Sequence, residues 1–514
     1  VRLRNTWDVW LDLARRRGVA LATVGWFVLA NAALLVWLQP WAQLEWSTWF
    51  CGYEAGRIAR NLQTGYGYGS PFFVFPGDNF SDTQPVEPQP PDWLPADTQR
   101  ASGADPSRST ADPRVGQDGP RPTGWVTPPY VFLFWAVFAC CGVYTPAAVA
   151  VVYLLQTLFM AAAVYLMWAV LLRSGERRAA ALWLPLAVLY PPFWYFSIRD
   201  AHGTTLFILL AVASLYGFAR LLEQDGGLRW AWAQAACAVL AVLAEPASIL
   251  FFLALELGLI WWLMGRPLYP RRRLSTYPPP RNRRAAALGV ALGVTAAVLL
   301  GPWWVRNAVV FQKFVPLKSN LAMELYYGNN LAAETDMVAA HFERLPTTSY
   351  PERRLLHQLG EPAFAGLCWA RFAEYVRARP LVFIRLSLQR VIYFWSYNPF
   401  KKNVWRPALD ILLHLALALG LFGCLLPGKP RCGWLNAACV GFLLLYPLAF
   451  YATHFLIYRY RLPLEAILLA WVALRADGLI RLLEARGKGA QAAAPAAGAS
   501  SEPPAQIAKS TGTT

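Results

Sequence analysis

Ten apolar stretches with little or no charge recur along this 514-residue chain, most of them near the about 17 to 25 residues that cross a bilayer as a helix. They fall at 19–38, 147–172, 179–198, 203–219, 230–244, 247–264, 285–305, 407–426, 434–457 and 462–480. A chain built this way is expected to be an all-α polytopic membrane protein with about ten transmembrane helices. Composition agrees: hydrophobic residues make up 56% and charged residues 15%, against about a quarter charged in a soluble protein. An ordinary cytosolic enzyme is excluded. The 24 Trp and 22 Tyr suit membrane interfaces.

Lys and Arg number 47 against 30 Asp and Glu, a net charge of +17. Nucleic acid would require one basic patch, and the basic residues are instead spread over short connecting segments. They cluster at Arg15, Arg16 and Arg17, at Arg173, Arg177 and Arg178, from Arg271 to Arg284, at Lys429 and Arg431, and at Arg481, Arg486 and Lys488. The positive-inside rule makes these segments cytoplasmic. Both termini are then expected inside, with 1–18 a cytoplasmic segment, the first span a signal anchor, and 483–514 a disordered tail. Two long loops are left outside, 39–146 and 306–406. Within the first, the apolar run 130–141 is too short to span and is expected to lie in the outer interface. The segment 75–122, rich in Pro, Asp, Ser and Gly, reads as a flexible insertion. Of eight cysteines, Cys51 and Cys368 lie in external segments, where pairing is open.

Chemistry-bearing residues gather at the external ends of the spans. Directly after the first span, Glu54, Arg57 and Asn61 share one face of an amphipathic helix, with Ala55, Ile58, Ala59 and Leu62 on the other. Glu54 either caps that helix and pairs with Arg57, or is a reactive carboxylate. Asp200 lies in the short outer turn SIRDAHG (197–203), either as a surface partner of Arg199 or as a second functional acid. Glu245 occupies a similar turn. Arg306 with Asn307, the run ELYYGNN (324–330) with Asn329 and Asn330, and Tyr458, Arg459 and Arg461 add cations and amides. Such guanidinium groups either snorkel to lipid headgroups or bind phosphate. Arg377, Arg379, Arg385 and Arg390 fall in another amphipathic, interfacial segment.

No DxD pair, phosphate loop, HExxH or GxSxG motif is present, and His202, His341 and His454 show no ligand spacing. A donor delivered by the membrane itself fits these absences better than a soluble one.

The strings GYEAGRIARNLQTGYGYGSPF (52–72), PTGWVTPPYVFLFWAVFACCGVYT (122–145), GPWWVRNAVVFQKFVPLKSNLAMELYYGNN (301–330) and YRYRLPLEA (458–466) resemble bacterial membrane glycosyltransferases of the GT-C superfamily. The group related to protein O-mannosyltransferases and aminoarabinose transferases is the most similar. The resemblance covers 19–482 as a GT-C-like domain, apart from the insertion. It implies transfer of a sugar from a polyprenyl-phosphate donor to a glycan, lipid or protein acceptor outside the bacterial inner membrane, with inversion. Glu54 matches the acidic residue of the family's first external loop, and Asp200 resembles its second acid. Tyr130, in Pro128-Pro129-Tyr130, resembles its interfacial helix. Arg306, Arg459 and Arg461, with Tyr458, would hold the lipid phosphate, and Arg57, Asn61, Tyr130, Glu245, Asn329 and Asn330 are pocket candidates. No cofactor is certain, a divalent metal is left open, and no nucleic-acid partner is expected. A lipid-linked-sugar transporter, pointing to intramembrane Glu256 and Asp410, and a relative that only binds the carrier are the competing readings.

Overall fold

A computed structural model describes residues 16–38, 53–72, 120–198, 201–223, 228–264, 282–346, 349–395, 432–453 and 458–493. Among these residues the regular structure is helical, apart from one isolated antiparallel bridge between Gly69 and Pro122. In chain order the helices are α1 (Arg17–Leu38), α2 (Tyr53–Gln63), α3 (Pro128–Cys141), α4 (Pro146–Arg173), α5 (Arg177–Val188), α6 (Pro191–Ile198), α7 (Thr204–Leu222), α8 (Arg229–Ala244) and α9 (Ile249–Leu263). There follow α10 (Asn282–Phe311), α11 (Leu321–Gly328), α12 (Met337–Arg344), α13 (Tyr350–Leu359), α14 (Glu361–Ala378), α15 (Pro380–Trp395), α16 (Gly433–Leu445), α17 (Leu448–Thr453) and α18 (Leu462–Ala493).

Among the described residues, six helices are long and apolar enough to cross a membrane, or seven if the bent pair α5 and α6 is one span. The count of ten expected from sequence is therefore not reached. The stretch 230–244 becomes the 16-residue α8, short for a span. The stretch 462–480 lies in α18, which carries Glu465, Arg475 and Asp477 within its first half. The stretch 407–426 and Asp410 fall outside the described residues, as do most of the insertion 75–122 and most of the tail 483–514. The short helix expected over 130–141 forms as α3. Cys368 is a buried free thiol, and Cys51 is outside the described residues.

Local sequence explains the breaks. Proline lacks the N–H that continues a helix but suits its first turn, and Pro128, Pro146, Pro191 and Pro380 each open one. The Thr145 hydroxyl accepts the Ala148 N–H at 3.1 Å and caps α4. At the 53° bend between α5 and α6, the Trp194 indole donates to the freed Val188 carbonyl at 2.6 Å.

α4 is the central helix, packed against α1, α5, α6 and α7, while α7 also packs on α8. At that last contact a Cβ on Gly217 would come within 2.9 Å of Gln234, so only glycine allows so close an approach. Helix ends sort into two groups. At one end Arg173 pairs with Glu223, Arg178 with Glu484 at 3.0 Å, Arg481 with Glu176 at 3.0 Å, and Arg284 donates to the Leu221 carbonyl at 2.9 Å. These are residues that the charge pattern placed together inside. At the opposite end lie the short helices α2, α3 and α11 to α15.

α11 organises that second end, packing on α12, α14 and α17. Asn329, just beyond it, donates to the carbonyls of Leu325 at 2.7 Å and Ala452 at 2.8 Å and accepts from Arg390 Nη1 at 3.0 Å. Arg390 also donates to the Gly328 carbonyl. Only 1% exposed, Arg390 is a core residue rather than an interfacial one. Replacing it with Leu leaves buried acceptors unanswered, so Arg390→Leu should lower stability by about 2 kcal/mol. Thermal unfolding in detergent measures this, and an unchanged midpoint would show that the junction contributes nothing.

Candidate active site

Glu54 stands in the first turn of α2, where the helix dipole favours a carboxylate. The apolar face of α2, with Ala55, Ile58 and Ala59, is buried with Tyr130, Val131 and Phe134 of α3. The polar face holds the chain that follows: Arg57 donates to the Pro71 carbonyl at 3.0 Å, and Asn61 to those of Gly69 and Ser70, both at 3.1 Å. Arg57 and Asn61 thus fix the 69–71 turn, and Glu54 is left for other partners.

Those partners come from three separate stretches. The Trp125 indole donates to Glu54 Oε1 at 2.7 Å. Burial pushes the Glu54 carboxyl up, against the opposing pull of Arg459, Lys318, the Trp125 hydrogen bond and Arg57. Glu324, in α11, is pushed up to about 8, first by burial and then by the Glu54 charge, with Lys318, Arg459 and a 3.0 Å bond from Asn320 opposing. Burial, then Arg459 and Lys318, hold the His202 imidazole well below its usual range. Arg459 reaches His202 Nε2, which must accept because guanidinium only donates. Its other arm donates to the Tyr460 hydroxyl at 3.0 Å. Two cations, two acids whose carboxyls burial pushes toward the neutral form and a neutral imidazole leave the cluster net positive. Such a site takes an anion beside a base.

The remaining expected residues serve as supports. Arg306 donates to the carbonyls of Thr123 at 2.6 Å and Tyr68 at 3.0 Å and lies 5.2 Å over the Tyr68 ring. Arg461 forms a buried 2.8 Å pair with Glu465. Tyr130 donates to Gln156 and faces Gly203, where a Cβ would lie 3.3 Å from the ring, so Tyr130 backs the turn carrying His202. The Glu245 charge is felt by Tyr446 and Tyr460, the latter beside Arg459. Asn329 and Asn330 hold backbone carbonyls around α11. Tyr458 belongs to the 3-10 turn Tyr458–Tyr460, and its side chain is outside the description. Asp200 is also outside the described residues, two positions before His202.

Sequence reading missed Lys318, His202, Trp125 and Glu324 as site members. Glu324 heads the ELYYGNN run, and its position next to a Lys-Ser-Asn segment was the available signal. Among the described residues, no group of three or more His, Cys, Asp or Glu side chains is placed to hold a metal ion.

Comparison with known proteins returns little. No family model matches the chain, and no curated protein matches it. Among solved structures, the chain is similar to the Archaeoglobus fulgidus oligosaccharyltransferase in complex with Zn and sulfate, at a TM-score of 0.37 and 15% identity. That match covers 74% of this chain and 44% of the archaeal one, so the chain spans less than half its length.

The Glu324 carboxyl is protonated below about pH 8 and ionised above it. Infrared spectra recorded between about pH 6 and 10 should show a carboxyl band titrating near that value and missing from Glu324→Gln. A band that titrates in the ordinary carboxylate range would refute this environment.

Proposed function

We propose that the chain is an integral membrane glycosyltransferase that moves a sugar from a polyprenyl-phosphate donor to an acceptor hydroxyl at the periplasmic face of a bacterial inner membrane. The observation that carries this reading is that Glu54, held by the Trp125 indole, lies within the electrostatic reach of Lys318 and Arg459, cations from two stretches far apart in the chain. The basic pairs at the opposite end of the helices support a cytoplasmic location for that end, which puts Glu54 outside.

The reaction follows from the charges. Lys318 and Arg459 attract the donor phosphate by charge, with the Arg459 guanidinium oriented by His202 and the Tyr460 hydroxyl. Arg306 and Arg461, engaged with protein groups, stabilise the walls instead. Glu54 takes the proton of the acceptor hydroxyl as its oxygen attacks the anomeric carbon on the face opposite the phosphate. The bond between sugar and phosphate oxygen breaks, its electron pair leaves with the polyprenyl phosphate, and the two cations stabilise the added charge. Inversion is the stereochemical result. Neutral Glu324 donates a hydrogen bond to the same developing anion. His202, as acceptor, fixes the direction of Arg459, and Asp200 orients the acceptor. The acceptor itself is a glycan, a lipid or a protein.

Two outcomes test this. Glu54→Gln should lower transfer from a labelled polyprenyl-phosphate sugar by about 10²- to 10⁴-fold while donor binding survives. Retained transfer would eliminate Glu54 as the base, and carrier movement without transfer would favour a flippase. The base must be ionised, so activity falls as pH drops through the Glu54 pKa, which burial raises. Lys318→Gln removes a charge that lowers this pKa, so the acid limb of the pH profile should move to higher pH. A limb that stays in place or moves down would contradict the assignment.

A further inference from the structure

Glu361 opens α14 and is only 4% exposed, yet no part of the mechanism uses it. Its Oε2 accepts from the Thr123 hydroxyl at 2.5 Å, and its Oε1 from the Gly124 N–H at 2.7 Å and from the Ser319 hydroxyl. The Ser319 N–H donates to the Gly124 carbonyl at 3.1 Å, so backbone and side chain join the same two segments. The Thr123 hydroxyl also accepts the Trp125 N–H at 3.1 Å, which fixes the direction of its own proton toward Glu361.

What the two segments carry is the point. Two residues beyond Thr123 is Trp125, whose indole holds Glu54. On either side of Ser319 are Lys318 and Asn320, the second of which holds Glu324. A buried carboxylate is costly, and charge-assisted bonds to three converging donors offset that cost. A carboxamide of the same shape would turn an N–H₂ group toward one of those donors. Space is also limiting, because a Cβ on Gly124 would lie 3.2 Å from Phe311 and 3.4 Å from Glu361 Oε1.

We propose that Glu361 is a positioning residue: its carboxylate sets the spacing between the Trp125 segment that holds Glu54 and the Lys318 to Asn320 segment that binds the donor phosphate. It touches neither substrate. The proposal rests on the roles given above to Glu54 and Lys318, and it makes the geometry of the base and of the anion site depend on one side chain outside both.

The test uses full-length protein in detergent. Glu361→Gln and Ser319→Ala are assayed with a labelled polyprenyl-phosphate sugar for kcat, KM and pH profile, and each is checked for folding by thermal unfolding. Displacement of a base by a fraction of an ångström should lower kcat in Glu361→Gln by about 10- to 100-fold with KM little changed. Loosening of the Trp125 bond should move the acid limb up by about half a pH unit. Ser319→Ala, which removes one of the three bonds, should shift both in the same direction by less, and it carries the test if Glu361→Gln does not fold. Folded variants with wild-type kcat and an unmoved acid limb would overturn the proposal. The Glu54 carboxyl band, identified by its loss in Glu54→Gln, gives a readout that needs no substrate. If wild-type protein transfers no sugar, the proposed activity fails. An upward shift of that band in Glu361→Gln still supports the positioning role, and an unshifted band rejects it.

Discussion

A charge taken out of water costs several kcal/mol unless opposite charges or hydrogen-bond donors answer it, and the second end of this molecule is arranged around that requirement. Glu54 leaves solvent at the start of α2. The groups that answer it come from the 120–127 segment, the approach to α11 and the turn before α18, so none of these stretches is free to settle elsewhere. Burial and the Glu54 charge keep Glu324, the second acid, largely uncharged. The charges of Lys318 and Arg459 are therefore not fully cancelled by the two acids.

The supports around that cluster are mostly uncharged backbone carbonyls held by long polar side chains. Arg57, Asn61, Arg306, Asn329 and Arg390 all donate to main-chain oxygens. This has a simple cause. Short helices and tight turns leave carbonyls without an intrahelical partner, and a region poor in water must answer them from side chains. The polar residues that look most functional in such a region are therefore often its scaffolding.

That distinction decided what could be read from the sequence. Apolar stretches and basic connecting segments gave the helical class, the short α3 and the shared end of Arg173, Arg178, Arg284 and Arg481, because hydropathy and charge act through composition alone. The amphipathic face of α2 was legible too, since Glu54, Arg57 and Asn61 follow helical spacing. What their side chains would bind was not, because Pro71, Gly69 and Trp125 reach them through tertiary contacts. Arg306 and Arg459 are alike on paper, each an arginine at a boundary beside aromatics. Only the fold directs the first to carbonyls and the second to His202. Lys318 lies in an irregular segment and Glu361 is only the first residue of α14, so no pattern marked either. Fewer than the ten expected spans are seen among the described residues because 407–426 lies outside them, 230–244 is apolar yet short and α18 carries charges.

α18 runs for 32 residues without a break, so it is about 48 Å long. Near its beginning lies the Arg461 to Glu465 pair, directly after the turn that bears Arg459, and about 30 Å further along Arg481 pairs with Glu176. A continuous helix resists stretching, since extension would break its hydrogen-bond ladder. A displacement along the axis at the Glu176 pair would therefore reach the turn bearing Arg459 largely undiminished, which couples the two ends of the helix bundle mechanically.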